Sequence, residues 1–90
     1  MKTQLNGLLG IMVTVHREAG LRIVIYLEDH EPAHVHVYGD GEAKINLISK
    51  TGAPVVVSTI GMTFGDVRKA LRIVKAHRAE LFTRWSEIHG

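Results

Sequence analysis

Ninety residues allow one small domain, which buries only about 60–65 % of its unfolded surface and leaves little room for a deep active site. Cysteine is absent, which excludes disulfides and thiolate metal sites and suits a reducing cytoplasm. Eleven basic against nine acidic side chains give a net charge of +2, which solubility alone explains and which demands no nucleic-acid partner.

Met1 to Gly10 read as a flexible lead-in, with one lysine and neither a sustained apolar region nor a small-residue cleavage site. The apolar runs further on, Ile23 to Leu27 and Val55 to Val57, are far too short to span a bilayer. The expectation is a soluble cytoplasmic protein whose single α+β domain occupies residues 11–90.

From Ile11 the chain alternates: Ile11, Val13 and Val15 are apolar, with Met12, Thr14 and His16 between them. The pattern resumes after Glu18-Ala19-Gly20 as Leu21, Ile23, Ile25 and Leu27, and period two with β-branched residues predicts half-buried strands. A three-residue Glu18-Ala19-Gly20 loop would set Val15 against Ile23 and Val13 against Ile25. The next hairpin turns at Gly39-Asp40-Gly41, pairing Val37 with Ala43 and Val35 with Ile45. A two-residue loop would instead oppose His36 to Ile45 and send side chains to the wrong face. A short fifth strand is expected over Val55 to Thr59.

One long helix is expected from about Thr63, with Thr63 and Asp66 as a capping-box-like pair. At 100° per residue, Val67, Val74, Leu81, Trp85 and Ile88 share a stripe flanked by Phe64, Ala70, Leu71 and Phe82. The predicted architecture is an antiparallel sheet of four to five strands with this helix packed on one face.

Candidate chemistry centres on Asp29-His30-Glu31-Pro32-Ala33-His34-Val35-His36-Val37. His34 and His36 are two apart on a strand, so both leave the same face with Cα atoms roughly 6–7 Å apart. They could share a metal ion with His30, Asp29 or Glu31, but the register puts Lys44 across from His36 and Asn46 across from His34, and a lysine ammonium beside a ligand imidazole disfavours a dication. The outer sheet face should carry His16, Arg22, Tyr26, His34, His36, Tyr38, Glu42, Lys44 and Asn46. Rings among cations on an open sheet suit single-stranded nucleic acid or a protein interface, and equally an ordinary wet face. On the helix, Arg68, Arg72 and Lys75 fall at i, i+4 and i+7 on one flank, a patch for phosphates or an acidic partner, or simply a solvated face. Arg78 lies within the apolar stripe, either snorkelling out or pairing with Glu28, Asp29 or Glu31. No serine occupies a nucleophile-elbow context and no glycine-rich phosphate loop occurs.

The histidine segment, followed by Gly41-Glu42-Ala43 and then His77-Arg78-Ala79-Glu80-Leu81 with Trp85, resembles the domain of unknown function 4160 family of small bacterial proteins. Its pattern is a D-H-x-P-x-H-x-H-V strand, a glycine turn with E-A, and a closing helix ending E-L-x-x-x-W. The resemblance spans roughly Ile23 to Gly90; Ala33 stands where many members have a second proline. It makes His30, His34, His36, Arg78 and Trp85 motif residues. It implies a protein partner, since members are often encoded beside another small protein and some are proposed as toxin–antitoxin components, with RNA as the target if this chain is a toxin.

These readings predict a small intracellular interaction module, toxin–antitoxin-like or phage-related. The residues expected to bind are His34, His36, Tyr38, Arg22, Lys44, Arg68, Arg72, Lys75 and Arg78. A protein partner is expected, with nucleic acid as the alternative, a homodimer left open, and no membrane, metal or cofactor assigned. The alternatives are a nuclease using His34 and His36 with Arg78, and a metal-binding protein using His30, His34 and His36.

Overall fold

The alternating segments form five strands and the C-terminal third forms helix, in a computed structural model that describes residues 11–90. The lead-in assigned to residues 1–10 lies outside the described residues. The strands are β1 (Met12–Glu18), β2 (Leu21–Tyr26), β3 (His34–Tyr38), β4 (Glu42–Asn46) and β5 (Val55–Ile60). They make one antiparallel sheet in chain order, β1-β2-β3-β4-β5. The helices are α1 (Phe64–Ala76) and α2 (Arg78–His89).

The β3–β4 hairpin has the predicted register, with Val37 opposite Ala43, Val35 opposite Ile45, His36 opposite Lys44 and His34 opposite Asn46. Glycine is required at Gly41 because a Cβ there would collide with the Gly61 backbone and the Ile60 carbonyl. The β1–β2 hairpin departs from its predicted register. Ala19 and Gly20 both take positive φ, so the loop has two residues and Glu18 pairs with Leu21. His16 therefore opposes Ile23, and a bulge between Thr14 and His16 restores the Val13–Ile25 pairing. This slip turns His16 to the helix side of the sheet, so the sequence-based placement of His16 on the outer face is corrected.

Ile23, Ile25, Val35, Val37, Ala43, Ile45 and Leu47 are buried together with Ala70, Ile73, Val74, Leu81 and Trp85 from the helices. The single long helix is corrected to two pieces, because His77 leaves helical geometry at φ −114°, ψ 18°. Its backbone N–H still bonds the Ile73 carbonyl and its own carbonyl accepts from Leu81, so the chain bends there without losing those bonds. Thr63 caps α1 by accepting from the Asp66 N–H at 3.1 Å. Phe64 is also corrected: it is 83 % exposed. With Ala70, Ile73 and Val74 turned inward, Phe64 falls roughly 130° round the helix from their mean direction. No described helix is long and apolar enough to cross a membrane.

Candidate functional site: a buried histidine–carboxylate cluster and an exposed helix flank

Parity along β3 sends His34 and His36 to the face away from the apolar core, while Val35 and Val37 are fully buried within it. That face is not open around them. Val24, opposite His36 in β2, is buried. His34 is only 4 % exposed, with the Trp85 ring centroid 5.2 Å from its own. Trp85 is held in turn by donating to Glu31 Oε2 at 3.2 Å and by the His89 ring 3.9 Å away. His89 Nε2 donates to the Tyr26 carbonyl at 3.2 Å, tying the end of α2 to the end of β2.

Asp29 comes from the β2–β3 connection. Its Oδ2 accepts from the Tyr26 backbone N–H at 3.0 Å, which orients the carboxylate. The other oxygen, Oδ1, lies 3.3 Å from His34 Nε2 and 3.6 Å from His36 Nε2. His34 Nδ1 donates to the Pro32 carbonyl at 2.9 Å. His36 Nδ1 donates to Glu42 Oε2 at 3.1 Å, and the Tyr38 hydroxyl donates to the same oxygen at 3.4 Å. The Tyr26 and Tyr38 hydroxyls bond each other, and the Tyr26 ring stands edge-on to His36 at 4.9 Å. Burial, then the neighbouring Tyr26, push the Tyr38 phenol well above its ordinary value, so it remains a neutral donor toward Glu42.

The residues predicted to bind fall in three places. His34, His36 and Tyr38 join the network just described. Arg22 sits with its guanidinium 5.8 Å from the Tyr38 ring centroid, and half-buried Lys44 faces His36 across the strands. Arg68, Arg72 and Lys75 stand exposed along α1, lining a shallow groove around Leu71, and none forms an ion pair among the described residues. Phe64 lies on the same flank, within about 80° of all three. Arg78 joins neither group: it donates to the Gly52 carbonyl, not to Glu28, Asp29 or Glu31. It clamps the β4–β5 connection, remote in function from the histidines it was expected to assist. His30 is exposed and outside the cluster; Asp29 takes the place that the metal-binding alternative gave it.

A second cluster was not anticipated from sequence. His16 Nε2 donates to Glu18 Oε1 at 2.8 Å, and His77 Nε2 reaches the same oxygen at 3.2 Å. His77 Nδ1 lies 3.3 Å from Glu80 Oε1, and the two imidazoles pack at a tilt with centroids 4.2 Å apart. The signal was hidden because it depends on the two-residue turn and the bulge that rotate His16 and Glu18 toward the helices.

The class defined so far is a small α+β domain with a five-stranded antiparallel sheet, two C-terminal helices and a histidine–carboxylate network at one sheet end. The family model described as Domain of unknown function (DUF4160) matches residues 20–86, and the chain belongs to that family. No curated protein and no solved structure matches it.

Proposed function

We propose that this protein is a small interaction module that binds an acidic protein partner on the exposed flank of α1, as one half of a two-component, toxin–antitoxin-like pair. The observation that supports it is the stripe running Phe64, Arg68, Leu71, Arg72, Lys75: an exposed aromatic ring leading three exposed cations. Exposed phenylalanine is unfavourable in water, and aromatic and arginine side chains dominate the energetics of interfaces. Arg68 lies in the first turns of α1, where the helix dipole disfavours cations, so local stability does not account for it. An acidic partner would supply the carboxylates that the chain itself withholds from this flank. The cytoplasm suits such a pairing, as the cysteine-free composition does.

The sheet face enters this reading less than the sequence suggested, because His34 Nδ1, His36 Nδ1 and the Tyr38 hydroxyl are hydrogen-bonded within the fold. The nuclease alternative loses its phosphate-binding arginine for the same kind of reason, since Arg78 is engaged at Gly52.

Co-expression with the product of the adjacent gene tests the proposal. A stable complex is expected, with Phe64→Ala weakening it at least about tenfold and Arg72→Glu more strongly at low salt. A complex indifferent to both substitutions would overturn the docking surface. RNA bound by the wild type in place of a protein would replace the partner class.

A further inference from the structure

Asp29, His34 and His36 have the arrangement of a metal site. Each histidine has its Nδ1 committed to a group that can only accept: the Pro32 carbonyl for His34, the Glu42 carboxylate for His36. In a neutral imidazole whose Nδ1 carries the proton, Nε2 is a lone pair. Both Nε2 atoms therefore turn lone pairs toward Asp29 Oδ1, itself an acceptor, at 3.3 and 3.6 Å. Three acceptors facing one another repel unless a positive charge lies among them, supplied either by protonating both rings or by one cation. His36 Nε2 is buried and has no hydrogen-bond partner among the described residues, an unsatisfied group that calls for an explanation.

The distances decide between general polarity and coordination. For bonds of about 2.0–2.1 Å to nitrogen and oxygen, tetrahedral donors stand about 3.3–3.4 Å apart. The same geometry sets two ligating imidazole centroids about 5.2 Å apart. His34 and His36 centroids are separated by 5.1 Å, and Asp29 Oδ1 stands 3.3 and 3.6 Å from their Nε2 atoms. The orienting contacts also match: a ligating histidine normally sends its other nitrogen to a carboxylate or backbone carbonyl, and here one histidine does each. Charge balances too. Asp29 and Glu42 together offset a dication, and Glu42 meets the His36 ring. The side chains of Asp29 and His36 each retain 15 % exposure, enough for an ion to enter.

We infer that Asp29 Oδ1, His34 Nε2 and His36 Nε2 form a site for a divalent transition ion of the zinc class, with Glu42 as a positioning residue behind His36. The donor set of two imidazoles and one carboxylate is borderline in softness, which favours zinc, nickel or cobalt over magnesium or calcium. This site is independent of the α1 flank, so its failure and the failure of the docking proposal are separate results.

The test uses the full chain, stripped with a chelator, and Zn²⁺ alone. One equivalent should bind, and zinc at about a hundredfold excess over its Kd should raise Tm by about 10 °C or more. Asp29→Asn and His36→Gln should abolish the rise, and Glu42→Gln should weaken binding about 10- to 100-fold. His30→Ala and the double variant His16→Ala/His77→Ala should bind as the wild type does. In the zinc-loaded wild type, nitrogen resonances should report both rings protonated at Nδ1 and ligated through Nε2, a readout that stands even where a variant folds poorly. A wild type without saturable binding, the opposite ring tautomer, or binding lost only with His16 and His77 would each overturn the assignment.

Discussion

The two histidine–carboxylate clusters each join two imidazoles to one carboxylate and behave as opposites. At Asp29–His34–His36 the rings come from one strand, their Nδ1 atoms are anchored to separate acceptors, and their centroids stand 5.1 Å apart around one carboxylate oxygen. At His16–Glu18–His77 the rings come from β1 and from the helix bend, lie tilted with centroids 4.2 Å apart, and donate directly to one exposed glutamate. The first is a preorganised set of lone pairs. The second is a set of satisfied donors. Burial and the partner of the far ring nitrogen, not composition, make the difference.

The sharpest way to break that comparison is to uncover the first cluster. Trp85→Ala removes a buried indole that packs on His34 and His89 and bonds Glu31, so unfolding by urea should show a loss of about 3–5 kcal/mol. A loss below about 1 kcal/mol would mean that the histidines are buried by something other than Trp85. Asp29→Ala comes next. It strips the Tyr26 N–H of its acceptor, an expected cost of about 1–3 kcal/mol in metal-free buffer. If Asp29→Ala is as stable as the wild type, the carboxylate does not organise the cluster.

How much of this was legible in sequence follows from the same contrast. The β3–β4 register could be read because only one loop length keeps Val35, Val37, Ala43 and Ile45 on one side, and the pair His34/His36 came with it. The β1–β2 register could not, because the turn puts Ala19 at φ 52°, a conformation alanine rarely takes and so does not announce. One residue of slip moved His16 from the wet face to the helix side. The helix bend at His77 carries neither proline nor glycine, so the apolar period runs through it unmarked. Parity correctly assigned a face to His34 but says nothing of what covers that face, and Trp85 reaches it from the end of α2. Asp29 lies in a connection, where no period exists to fix which way a side chain turns; it could be named as one of several donors but not singled out.

The smallest expected effect belongs to the exposed cluster, and it depends on pH. Hydrogen bonding to Glu80, with a further contribution from Glu18, raises the His77 value above 6.5, while desolvation opposes it. Hydrogen bonding to His16, aided by His77, lowers Glu18 below 4.5. A raised imidazole stabilises the fold fully below its unfolded value and loses that effect as pH rises through the folded one. A lowered carboxylate stabilises above its unfolded value and loses the effect as pH falls through the folded one. Both conditions hold together between 4.5 and 6.5. His77→Ala should therefore lower Tm slightly at about pH 5.5 and less at about pH 8.5, the remainder at alkaline pH being lost ring packing against His16. Thermal melts of both proteins at the two pH values decide it. A difference that is the same at both would show that the cluster works by packing alone.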